Sequence, residues 1–145
     1  MKYNVTQTYI VSMNNNAMNI MNEMSRGIRS AGYDPKNKGF DAIASLSATS
    51  LVFNQAIDSD STGNAHTVSY VYSASLKKIT KAVDGATVVT FGDVNSLTFV
   101  PNAIPPQPTQ IKINLIVQTE KPDSSYANNS GYRTKSLSFT VPINQ

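Results

Sequence analysis

The densest run of oxygen-bearing side chains in the chain is Asp58-Ser-Asp60-Ser-Thr62-Gly63-Asn64. Its oxygens recur at alternate positions and a glycine marks the sharp turn, as in the first half of a calcium-binding loop. Calcium asks for roughly six to eight oxygens, and the position where such loops carry their closing glutamate holds Ser69. Asp, Ser and Gly also build ordinary hairpin turns. The run therefore reads either as a calcium site or as a plain turn. His66 follows it and is the chain's one histidine. With no acidic partner fixed by spacing, it reads as a structural residue at the start of a strand.

Other catalytic patterns are absent. Hydroxyls are plentiful, but no Gly-x-Ser-x-Gly elbow occurs. Gly85 and Gly92 do not form a phosphate cradle, and the two glutamates suggest no general acid and base pair. No residue is assigned a catalytic, cofactor-binding or metal-ligating role, so the sequence argues against an enzyme. Cysteine is absent, which removes disulfides, thiolate nucleophiles and Cys-based zinc sites. The single histidine removes His-rich metal clusters.

At 145 residues the chain is long enough for one domain with a real core. Charged residues make up only 14%, while Asn, Ser and Thr number 15, 17 and 13. This polarity of amides and hydroxyls suits a secreted or surface-exposed β-rich protein. Net charge is +3, with Lys77, Lys78 and Lys81 the closest grouping. These lysines, Arg133 and the seven tyrosines offer phosphate and stacking contacts to DNA. The same residues equally serve as sheet packing and solvated edges. Asn4-Val-Thr6 and Asn128-Asn-Ser130 match glycosylation acceptors, as chance predicts in so Asn-rich a chain. No stretch approaches the roughly 18 consecutive apolar residues of a membrane span.

The elements that must position these residues fall into two regions. From about residue 3 to 31, Ile10, Met13, Ala17, Ile20, Met21, Met24 and Ile28 recur at steps of three and four, predicting one long amphipathic helix. Its other face carries Asn14, Asn15, Asn16, Asn19 and Asn22, poor helix formers, so packing along the apolar stripe must hold it. It would span about 43 Å. Gly32 is placed for a left-handed cap and Pro35 stops continuation. Four of the five methionines lie on this helix; Met18 falls off the stripe and is the candidate for contacts with partner helices.

From about residue 40 to 145 strand signals take over. Leu51, Phe53 and Ile57 alternate, then Val68, Tyr70 and Tyr72. Asp84-Gly85 joins Leu76–Val83 to Ala86–Phe91 as a hairpin. Val94, Leu97 and Phe99 end at Pro101, and a loop with Pro105, Pro106 and Pro108 follows. Ile111, Ile113, Leu115 and Val117 alternate, as do Leu137, Phe139, Val141 and Ile143, with Pro142 arguing for an edge or a strand end. The expected fold is a single α+β domain over residues 1–145, a long N-terminal helix packed on one antiparallel sheet of about six or seven strands.

Local residues resemble one family. Arg29-Ser-Ala31-Gly32-Tyr33-Asp34-Pro35 looks like the helix exit of PilW-type minor pilins, with the run R-x-A-G-Y-D-P. Phe53–Gly63, His66-Thr-Val68-Ser-Tyr70, Val94-Asn-Ser-Leu97-Thr-Phe99 and the Tyr132–Asn144 end resemble, in order, that family's later strands. The general plan is shared with type II secretion pseudopilins, the J family among them. The family begins with a basic leader, a peptidase site, a glutamate at the fifth mature position and a hydrophobic half-helix. Here Met1-Lys2 leads into a polar segment, and Ile143 stands where an arginine is common. The expectation is a soluble form lacking that half-helix, or else a natural orphan unable to insert.

The resemblance implies a pilin-like fold and a structural subunit that helps assemble a type IV pilus or a type II secretion pseudopilus, at its tip. It implies other pilin or pseudopilin subunits as partners, an inner-membrane stage before assembly, and then a periplasmic or extracellular filament. The Pro101–Pro108 and Lys121–Tyr132 loops are the expected contact regions. A DNA- or surface-binding tip module is the alternative, and it requires a contiguous Lys/Tyr face.

Overall fold

A computed structural model describes residues 2–105, 107–123, 125–126 and 129–143, with side chains from residue 7 onward. Pro106, Asn128, Asn144 and the side chains of Asn4 and Thr6 lie outside the described residues. Helix α1 runs over Lys2–Arg29, about 42 Å of axis. Met13, Ala17, Ile20, Met24 and Ile28 are all buried, at steps of four, three, four and four, while Asn14, Asn15, Asn19 and Asn22 face solvent. Arg26 and Arg29 in its last turn suit the negative end of the helix dipole. Gly32, at φ 82°, turns the chain out of the helix, and its N–H passes to the carbonyl of Asn54, 2.8 Å away. The helix thus ends by joining its backbone to a strand. Among the described residues no helix is long and apolar enough to cross a membrane.

The strands depart from expectation in number and grouping. Among the described residues eight form, in two antiparallel sheets rather than one sheet of six or seven. β1 (Ile43–Leu46), β2 (Ser50–Gln55), β3 (His66–Ser73), β4 (Lys78–Val83) and β5 (Ala86–Phe91) make a five-stranded meander. β6 (Val94–Pro101), β7 (Gln110–Gln118) and β8 (Thr134–Pro142) make a second of three. β1 has no sequence signal because it is four residues long, bulged, and half composed of Ala and Ser. Leu76 and Lys77, expected to open β4, instead form the β3–β4 turn, with Lys77 at φ 53° and Leu76 exposed. Asp84 (φ 51°) and Gly85 (φ 84°) both have positive φ, the signature of the two-residue hairpin that Asp-Gly predicts. Pro142 ends the edge strand β8, where its missing N–H costs no ladder bond.

The sheets meet along β6, whose Val94 and Phe99 N–H groups donate to the carbonyls of Lys77 (2.9 Å) and Ala48 (2.8 Å). Cross-strand rows build one face of the small sheet: Leu97, Leu115 and Leu137, then Phe99, Ile113 and Phe139. On the large sheet, Leu51 and Phe53 lie beside Tyr70 and Val68, with Phe53 and Tyr70 stacked at 6.1 Å between ring centres. The helix stripe and both inner faces form a single core. The expected α+β class therefore holds, with the helix seated on two sheets.

One contact fixes that seat. Tyr70 is fully buried beneath Gly27, where an added Cβ would collide with the Tyr70 hydroxyl. Beside it, Glu23 accepts from Lys81 of β4 (2.6 Å) and from Arg26 on its own helix (2.6 Å). Burial alone would raise the Glu23 carboxyl; the hydrogen bonds from Lys81 and Arg26 outweigh it and hold the group below its usual range. Alanine for glycine inside a helix ordinarily gains about 1 kcal/mol. Here Gly27→Ala is expected to lose about 1–3 kcal/mol through overpacking. Adding Tyr70→Phe should recover part of that loss, and thermal unfolding of the two single variants and the double variant measures the coupling. Additive effects would mean that the hydroxyl is not what Gly27 accommodates.

Candidate functional site

The run at the helix exit now has a role at each position. Ala31 is buried, and Gly32 makes the left-handed turn. The Tyr33 carbonyl accepts from Ala56 N–H (2.8 Å), while its hydroxyl donates to Asp58 (3.2 Å). The two Asp34 carboxylate oxygens accept from the N–H groups of Lys38 and Gly39, each at 2.8 Å, closing the turn after Pro35. Helix exit and β2–β3 connection are thus laced together.

In that connection, Asp60 and Asp58 are committed to protein partners. Asp60 Oδ1 accepts from Thr62 N–H (3.0 Å) and Oγ1 (2.6 Å), the pattern of a side-chain-capped turn. Its Oδ2 lies 2.7 Å from His66 Nε2, and on the other side of the ring Nδ1 lies 2.6 Å from Asp84 Oδ2. Asp84 also accepts from Thr67 N–H (3.0 Å). Spacing fixes no acidic partner for His66, and the fold supplies two. Asp60 is six residues away and Asp84 eighteen, and hairpin pairing of β3 with β4 delivers the second. Neither separation follows a strand or helix period, so local pattern carried no signal.

With a carboxylate at each ring nitrogen, His66 binds both best as the imidazolium, which donates from both sides. The hydrogen bond to Asp84, then that to Asp60, raises the imidazole above its usual range. The Thr62 hydroxyl, then His66, lowers Asp60 to about 2, and His66 lowers Asp84. The Thr62 hydroxyl points at Asp60 rather than at the ring, so no nucleophile–base pair forms there. Chemically the cluster is a clamp across two turns at one end of the large sheet. Among the described residues, no three His, Asp and Glu side chains gather as a metal-holding group.

The cations singled out by sequence do not share a face. Lys81 is tied to Glu23 and lies over the Tyr70 ring, 5.7 Å from its centre. Lys77 donates to Asn95 (3.2 Å), and Arg133 pairs with Asp123 (3.1 Å) while stacking on Tyr126 (4.7 Å). Tyr70 is buried and the Tyr72 hydroxyl donates to the Val94 carbonyl (2.9 Å).

The two loops differ from one another. In 101–108, Asn102 Oδ1 accepts from Thr109 and Gln110 N–H, pinning the loop's ends and leaving Ile104 84% exposed, the most exposed large apolar residue described. Among the described residues of 121–132, Asp123 accepts from Ser125 and Arg133, and Gly131 is buried at φ 91° against the Asp123 backbone. On the helix, Val11 (57%) and Met18 (46%) are exposed outside the buried stripe. Ile104, Val11 and Met18 are among the exposed apolar side chains described, with Leu76, Val88 and Val100 of the strand region.

Compared with protein-family models, curated proteins and solved structures, the chain matches none.

His66 makes the clamp testable by pH. A raised imidazole pKa contributes stability that is complete below its ordinary value near 6.5 and is lost as pH rises through the folded value. The lowered Asp60 and Asp84 contribute stability that is present above the ordinary carboxylate range and lost as pH falls through their folded values, about 2 for Asp60. The advantage of wild type over His66→Gln should therefore be greatest around pH 5–6 and shrink above neutrality. Proton NMR titration of the one imidazole should give a pKa above about 6.5; a value at or below it refutes the clamp.

Proposed function

We propose that this chain is a structural subunit of a bacterial surface or secretion filament, a minor pilin or pseudopilin, acting in filament assembly or at the tip. One observation carries the reading. A 28-residue helix buries a single stripe against antiparallel sheets and exposes Val11 and Met18 on its remaining surface. Val11 and Met18 are seven residues apart, two helical turns, so they share one face on which a neighbouring helix could lie. The Ala31–Pro35 run, which resembles the PilW-type helix exit, supports the reading because Gly32 and Tyr33 tie the helix end to Asn54 of β2 and to Ala56 just beyond it.

In this reading α1 supplies the spine contact, while the sheets hold Ile104 and the 121–132 segment toward neighbouring subunits. No reaction is required of the chain. The DNA-binding alternative draws no support from Lys81, Arg133 and Tyr70, whose contacts are internal.

Deleting the gene should remove surface pili or block protein secretion, and which of the two is lost identifies the machine. Met18→Lys and Val11→Lys change exposed positions, so each should leave the purified protein's unfolding within about 0.5 kcal/mol of wild type. Each should nevertheless fail to restore filaments in the deletion strain. Normal pili and normal secretion in the deletion overturn the proposal.

A further inference from the structure

A cleft of about 220 Å³ opens between α1, the β5–β6 link and the end of β7. Its polar lining comes from Ser12 and Asn16 of the helix, Asp93 of the link, and Gln118 and Glu120 at the end of β7. Among the described residues neither carboxylate has an ion-pair partner. Asp93 has φ 56°, and its carbonyl accepts from Gln118 N–H at 2.9 Å. Burial, then the charge of Glu120, raises its carboxyl above the usual range.

Gln118 provides an independent sign. It is only 6% exposed, and its side-chain amide has no hydrogen-bond partner among the described residues, though it lines the cleft. Its amide atoms are not sealed from solvent, so the cleft that Gln118 lines is where they can meet a partner. Asn16 is also oriented: Nδ2 donates to the Gly92 carbonyl (3.0 Å), which leaves Oδ1 as the group available to the cleft. The accessible groups are therefore two carboxylates, two amide oxygens and a hydroxyl.

We propose that this cleft binds one hard divalent cation of the calcium class, held by Asp93 and Glu120 and completed by Gln118, Asn16, Ser12 and water. Oxygen-only donors from three separate elements suit calcium, which accepts irregular geometry, better than magnesium, which demands a near-ideal octahedron. The volume admits an ion with several of its waters, each taking roughly 30 Å³. Only two donors are charged, so the affinity belongs with the weak extracellular class, Kd about 0.1–1 mM. The site is distinct from the Asp58–Asn64 run, whose Asp60 serves His66 and Thr62 and whose Asp58 serves Tyr33. A bound ion would join the helix to the link between the two sheets.

Thermal unfolding of the whole chain, with calcium at about ten times the expected Kd against chelator, tests this. Calcium should raise Tm by roughly 3–8 °C, and magnesium by less. Asp93→Asn keeps the shape, suits positive φ and removes the strained charge. It should unfold at a higher temperature than wild type in chelator and gain nothing from calcium. Glu120→Gln should weaken the calcium shift, and Asp60→Asn should retain it in full. No shift in wild type, a full shift in Asp93→Asn, or loss of the shift in Asp60→Asn overturns the proposal. Stabilisation by methylammonium in place of calcium also overturns it, and assigns the cleft to an amine of a partner.

Discussion

A fully buried tyrosine hydroxyl set against a helix needs a residue without a side chain opposite it, and the Gly27–Tyr70 contact meets that need. Tyr70 can reach the helix backbone, its hydroxyl 3.4 Å from the Glu23 carbonyl, only because Gly27 leaves the space. Burial and the nearby Glu23 charge push the phenol well above its usual range, so it stays neutral. The helix is thereby held at one height and one rotation over β3. Once that is set, Glu23 meets Lys81, the Met13–Ile28 stripe faces both sheets, and Asn16 reaches Gly92.

The cost of this arrangement is local and its gain is distributed. A glycine in a helix interior gives up about 1 kcal/mol of propensity, and a helix rich in asparagine is weak already. Each fully buried aliphatic side chain on the stripe returns about 1.5–3 kcal/mol of transfer free energy. Tertiary burial, rather than helix propensity, therefore makes α1 a helix. Val11 and Met18 stay outside this burial, exposed on the helix surface.

Polar chemistry in this protein is mostly spent on joining segments. His66 fastens two turns, Asp34 closes the turn after Pro35, Asp123 ties Ser125 to Arg133, and Asn102 closes the proline-rich loop. These groups have partners, with short hydrogen bonds and shifted pKa values where they are charged. The α1–β7 cleft departs from this pattern, because among the described residues its carboxylates and the Gln118 amide have no side-chain partner. That contrast within one molecule, rather than acidity alone, distinguishes a binding cleft from a structural cluster.

The sequence by itself determined what repeats locally. The helix stripe, the alternation in β2, β3, β7 and β8, the Asp84-Gly85 hairpin and the Gly32 stop all depend on neighbours within a turn or a strand, where period and residue type suffice. Only the tertiary structure decided what depends on distant residues meeting. Tyr70 and Glu23 are 47 residues apart and His66 and Asp84 are 18 apart, so no spacing rule links them. The division into two sheets follows from β6 leaving β5 to start a second ladder with β7, a choice set by core packing. Asp93, Gln118 and Glu120 carry no motif and become a site only where the end of β7 reaches the β5–β6 link beneath the helix.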